Sequence, residues 1–132
     1  MKRLWIALGL VAGGALLWHF WAKGEMKFLP SVKTDGAKPQ LWFGLDVAAG
    51  LLKALGGPEL TVTSMNDGRH SKQTLHDDGL AADLRIRDIP VAILKRFFDL
   101  LKAILAPFGF DAVLESDHIH IEYDPKGGRN LF

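Results

Sequence analysis

The run that decides the fold lies near the carboxy terminus: Phe110-Asp111-Ala112-Val113-Leu114-Glu115-Ser116-Asp117-His118-Ile119-His120-Ile121-Glu122-Tyr123. It reads as two short strands, Phe110 to Leu114 and His118 to Tyr123, folded back at a turn near Ser116-Asp117. Alternate residues of a strand point to one face, so His118, His120 and Glu122 share a side, and the two histidines stand about 6.6 Å apart along the chain. The segment before the hairpin reads as a helix. Val91, Leu94, Phe98, Leu101 and Leu105 recur every three or four positions. Asp88 is placed to cap this helix, with Pro90 tolerated in its first turn, and Pro107 and Gly109 end it after about Leu105. It is core scaffolding and carries no candidate chemistry.

Further out, Leu80 to Ile86 (LAADLRI) reads as a short strand, residues 69–79 as polar loop and Asn66-Asp67-Gly68 as a turn. Leu60 to Ser64 (LTVTS) alternates and is β-branched, which predicts another strand. Leu41 to Leu55 (LWFGLDVAAGLLKAL) has helical spacing and stops at Gly56-Gly57-Pro58. Residues 23–40, with Pro30, Gly36 and Pro39, read as a linker and the entry to the domain. The order is helix, strand, loop, strand, helix, hairpin. That is an α+β domain with a small antiparallel sheet and flanking helices. The end, Asp124 to Asn130, is turn-like.

The amino terminus differs in kind. After Met1-Lys2-Arg3, the stretch Leu4 to Ala22 contains no Asp, Glu, Lys or Arg. At helical rise it spans about 28 Å, close to the hydrocarbon thickness of a bilayer. Trp5 at one end and Trp18, Phe20 and Trp21 at the other suit membrane interfaces. His19 to Gly24 makes a poor signal-cleavage site. We therefore expect one transmembrane helix, an uncleaved signal anchor. Lys2 and Arg3 favour an amino terminus in the cytoplasm and a domain outside it, although Lys23 and Lys27 put positive charge on the other flank. The expected division is 1–28 anchor, 29–40 linker and 41–132 domain. The 132 residues otherwise allow one modest domain. The absence of cysteine removes disulfides and thiolate zinc sites. A net charge of +1 without a basic stripe argues against nucleic acid as a partner. The oligomeric state is open.

Chemistry concentrates in few residues. His76 ends the polar loop, and Asp83 follows seven positions later in the next strand, with Gly79 between to let the chain turn. If that strand neighbours the His118–Tyr123 strand, a carboxylate and two or three imidazoles converge. Zinc takes mixed nitrogen and oxygen ligands, and three protein ligands plus water is the catalytic arrangement. An unpaired acid in the apolar context Ala81-Ala82-Asp83-Leu84 is costly if buried, and a cation removes that cost. The same H-x-H is also what an exposed strand face presents.

The stretch Thr74-Leu75-His76-Asp77-Asp78-Gly79-Leu80-Ala81-Ala82-Asp83 resembles the S/T-x-H-x-x-G-x-A-x-D signature of D-Ala-D-Ala metallopeptidases. These group with lysostaphin-type peptidases and the hedgehog amino-terminal domain. Val62-Thr63-Ser64 with Arg69 is similar to the family's strand-plus-arginine segment, and His118-Ile119-His120-Ile121-Glu122 to its closing strand. The resemblance covers about residues 60–124. It implies Zn2+ held by His76, Asp83 and His120, with His118 beside the metal stabilising the transition state. Some members carry E-x-x-H instead. Glu115-Ser116-Asp117-His118 fits that spacing, which would make His118 the ligand.

Glu115 is the implied general base in either frame, with Asp117 behind it. Arg69 would hold a substrate carboxylate or the oxyanion. Glu122 either orients an imidazole or is solvated. Arg85 is expected to pair on the sheet surface, with an acid of its neighbour strand. The implied activity is zinc-dependent hydrolysis of peptidoglycan stem-peptide amide bonds, as endopeptidase or carboxypeptidase, at the outer side of a bacterial inner membrane. The alternative is a membrane-anchored module that keeps the zinc fold and binds wall peptides without cutting them.

Overall fold

In a computed structural model of the chain, residues 24–65 and 79–125 are described. Five strands form one sheet: β1 (Met26–Phe28), β2 (Leu60–Ser64), β3 (Ala81–Arg85), β4 (Phe110–Leu114) and β5 (His118–Tyr123). Two helices accompany it, α1 (Pro39–Ala54) and α2 (Val91–Leu105). The strand order is β1-β2-β3-β5-β4. The chain is α+β.

The helices cover one face of the sheet. Leu41, Leu45 and Leu52 of α1 and Phe97, Leu101 and Leu105 of α2 join Val62, Leu84, Ile119 and Ile121 of the strands in a single core. In β5 the period of two is strict: Ile119, Ile121 and Tyr123 are buried, whereas His118, His120 and Glu122 are half-buried. In α2 the buried residues recur every four positions, and Lys95 pairs with Asp99 on the outer side at 2.6 Å. Gly109, at φ 90°, supplies the left-handed turn that ends the helical segment and sends the chain into β4.

Three expectations need correction. The sheet is mixed rather than antiparallel, because Met26–Phe28 pairs in parallel with Leu60 to Val62. This three-residue strand lies inside the 1–28 stretch expected to be the anchor. It is too short to show a period, and its partner lies more than thirty positions away. Second, α2 starts at Val91. Asp88 does not cap it, because the Asp88 carboxylate accepts from Arg85 at 2.8 and 2.9 Å, and Pro90 takes the cap position. Third, Arg85 therefore pairs with the loop that follows its own strand rather than with a neighbouring strand. The helices otherwise begin and end within three residues of their expected limits.

The anchor segment up to residue 23, the Asn66-Asp67-Gly68 turn, the loop through Asp78 and residues 126–132 lie outside the described residues. Among the described residues, no helix is long and apolar enough to cross a membrane.

Candidate functional site

The sheet face turned away from the helices carries the polar residues. β3 and β5 are antiparallel neighbours, and their register sets Asp83 opposite His120, Arg85 opposite His118 and Ala81 opposite Glu122. Ala82 and Leu84 point into the core and fix Asp83 on the other side. The Asp83 side chain retains 18% exposure, so its charge is only partly desolvated.

Two imidazoles approach one oxygen of this acid. Nδ1 of His120 lies 2.8 Å from Oδ1 of Asp83, a hydrogen bond, and Nε2 of His118 lies 3.6 Å from the same atom. Each ring also meets a second carboxylate. Nε2 of His120 is 2.8 Å from Oε1 of Glu122, and Nδ1 of His118 is 2.7 Å from Oδ1 of Asp117. The bond from Asp83, reinforced by Glu122 and opposed by burial, raises the pKa of His120 from 6.5 to about 9. Without a metal, His120 is therefore an imidazolium at neutral pH, a cation between two anions.

Gly79 and Ala81 of the motif have structural reasons. Gly79 adopts φ +74°, and a Cβ there would collide with the backbone carbonyl of Gly36. Its own carbonyl accepts from the Lys38 amide at 2.9 Å, which ties the entry of α1 to the start of β3. Ala81 is fully buried on the Asp83 side of β3, opposite Glu122.

Of the residues named from sequence, Asp83, His118 and His120 come together. Glu115 lies at the end of the hairpin, exposed, with its amide donating to the His118 carbonyl at 2.8 Å. Among the described residues its carboxylate makes no hydrogen bond to either imidazole. Asp117 makes that contact instead, and Glu122 is a contact of His120. The period of β5 places Glu122 on the right face, but nothing in the sequence fixes a side-chain pairing. His76 and Arg69 lie outside the described residues, as do His70, Ser71, Asp77 and Asp78.

Among the described residues, no three His, Asp or Glu side chains form a group that could hold a metal ion. The donor types still fit zinc: a carboxylate oxygen and an imidazole nitrogen side by side, each side chain about 20% exposed, with a second carboxylate on the far nitrogen of the ring. A separate cleft of about 230 Å³, lined by Glu25, Ala49, Lys53, Gly57, Pro58 and Glu59, contains none of these residues. The candidate chemistry sits on the sheet face away from the helices, not in that cleft. Compared with protein-family models, curated proteins and solved structures, the chain finds no match.

Proposed function

We propose that the chain is a zinc-dependent peptidase that hydrolyses stem-peptide amide bonds of peptidoglycan. The observation that carries this reading is the approach of His118 and His120 to one oxygen of Asp83 on the sheet face away from the helices. It is supported by the motif around His76, Gly79 and Asp83 and by its resemblance to D-Ala-D-Ala metallopeptidases.

In this reading His76, Asp83 and His120 hold the zinc ion, which when bound acidifies water and polarises an amide carbonyl. The other roles belong to the chain itself. His118, with Asp117 accepting from its Nδ1, turns Nε2 toward Asp83; as an imidazolium it would donate from Nε2 to a developing oxyanion. Glu115 accepts the proton of the attacking water and passes it to the leaving amine. Arg69 engages a substrate carboxylate through its forked donors. The chain acts in endopeptidase or carboxypeptidase mode. The apolar stretch Leu4 to Ala22 would hold the domain at the outer side of an inner membrane.

The test uses the full chain in detergent. It is expected to bind one zinc and cleave peptidoglycan fragments, and His76→Ala or Asp83→Ala should abolish both. Full cleavage after chelation, or by His76→Ala, would refute the reading.

One observation favours a second reading, a zinc-containing module that binds wall peptides without cutting them. The Glu115 carboxylate is exposed and makes no hydrogen bond to the imidazoles among the described residues. Wall-peptide binding by the wild type with no cleavage at any zinc loading would select that reading. Cleavage that falls strongly in Glu115→Ala would exclude it.

A further inference from the structure

His120 is held at both ring nitrogens, by residues from different strands. Asp83 reaches Nδ1 from across the ladder, and Glu122 reaches Nε2 from two positions along β5, each at 2.8 Å. Turning the ring over about its Cβ–Cγ bond would break both contacts. It would set carbon atoms where the two nitrogens now stand. Glu122 therefore decides which edge of the ring meets Asp83.

Glu122 is itself placed for this. Its side chain is 26% exposed, and its cross-strand neighbours are Ala81 on one side and Asp111 on the other. Ala81 offers only a methyl group. Asp111 is a like charge directly opposite, but it is engaged by Lys102 at 3.4 Å. Among the described residues no lysine or arginine pairs with Glu122, and its carboxylate is hydrogen-bonded to His120.

We infer that Glu122 is a positioning residue: it holds His120 through Nε2 so that Nδ1 is the nitrogen presented beside Asp83. Under the proposed function, on which this last step rests, Nδ1 is then the zinc-binding atom of His120. A carboxylate on the far nitrogen of a ligating histidine fixes the ring orientation and raises its basicity. Losing such a partner typically weakens metal binding by about 10–100-fold.

The experiment compares full-length wild type, Glu122→Ala and Glu122→Gln, each ¹⁵N-labelled at histidine and in detergent. Zinc affinity is read against a chelating dye, and the state of the His120 ring by long-range ¹H–¹⁵N spectra. In the zinc-loaded wild type, His120 should show zinc on Nδ1 and a proton on Nε2. Glu122→Ala should bind zinc about 10–100-fold more weakly and lose the single Nε2–H form. Glu122→Gln, whose amide oxygen can still accept from Nε2–H, should recover much of both. If Glu122→Ala does not fold, Glu122→Asp replaces it, since the shorter acid withdraws the same contact.

Unchanged affinity together with an unchanged His120 spectrum in Glu122→Ala would overturn the inference and leave the zinc reading standing. So would zinc on Nε2 in the wild type. If the wild type binds no zinc, the proposed function fails, and the metal-free spectra decide the positioning role alone. A Nε2–H resonance that moves in Glu122→Ala supports it, and one that does not move overturns it.

Discussion

Across the β3–β5 ladder, Nδ1 of His120 lies 2.8 Å from Oδ1 of Asp83, and the pair makes the metal-free fold sensitive to pH. The Asp83 bond is the largest cause that lifts His120 from 6.5 to about 9. The folded chain therefore holds its proton more tightly than the unfolded chain. That contribution to stability is complete below about pH 6.5 and is lost as pH rises through about 9. Urea midpoints of the metal-free protein should fall over that window, by roughly 1–3 kcal/mol in unfolding free energy. His120→Asn should remove the dependence. A flat wild-type profile would show that the pair does not bind its proton in this way.

The same proton bears on metal uptake. An imidazole nitrogen must lose its proton to become a ligand. His120 carries two ring protons at neutral pH, so zinc binding at about pH 7.5 should release roughly one proton from this ring. Calorimetry in buffers of different ionisation enthalpy measures that number.

Much of this arrangement is legible in the residues, and the limits are physical. In β5, histidine and isoleucine alternate, so the period of two reads directly and the alternation alone identifies the polar face. Asp83 between Ala82 and Leu84 is read the same way. That Asp83 faces His120 rather than His118 is a matter of register, which periodicity does not contain, because a shift of two residues keeps every face unchanged. β1 is illegible for a different reason: three residues, Met26 to Phe28, cannot show a period, and their pairing with Leu60 is long-range. The start of α2 departs from the capping pattern because Asp88 has a stronger local partner in Arg85 than the helix amides offer. Hydrogen bonds such as His120–Glu122 depend on side-chain rotamers, which strand pattern leaves free.

Gly79, the one glycine of the motif at residues 74–83, should be hard to replace. It combines φ +74° with a backbone neighbour, the Gly36 carbonyl, where a Cβ would stand. Left-handed strain alone costs about 1 kcal/mol, and displacing packed backbone adds to it. Gly79→Ala should therefore destabilise by roughly 2 kcal/mol or more. Gly56→Ala is the control, with a similar φ of +84° and open space around it. It should show the conformational cost alone. Equal thermal midpoints for the two variants would contradict the close approach.

Asp46 carries a penalty of burial. It lies on α1, and burial alone raises its pKa from 3.8. A carboxyl whose folded pKa exceeds its unfolded value destabilises at pH above both, and the penalty fades as pH falls through the folded value. Asp46→Asn should accordingly raise the urea midpoint at pH 7. The difference from wild type should narrow toward pH 4. A lower midpoint for Asp46→Asn at pH 7 would mean that the charge has a stabilising role.

Lys102 should matter more for solubility than for stability. β4 is an edge strand, and an edge with free amides and carbonyls is a template for pairing with another chain. At Ala112 both outward-facing groups are already taken. Its carbonyl accepts from Lys102 Nζ at 2.8 Å, and its amide donates to Asp111 Oδ1 at 3.0 Å. Both side chains are about half exposed, so the ion pair between them, at 3.4 Å, adds less than about 1 kcal/mol. Lys102→Met combined with Asp111→Ala keeps the aliphatic packing and opens the edge at Ala112. The thermal midpoint should move little, while light scattering should report a larger, concentration-dependent mass than for wild type in the same detergent. An unchanged mass would mean that the other edge positions protect β4 without this pair.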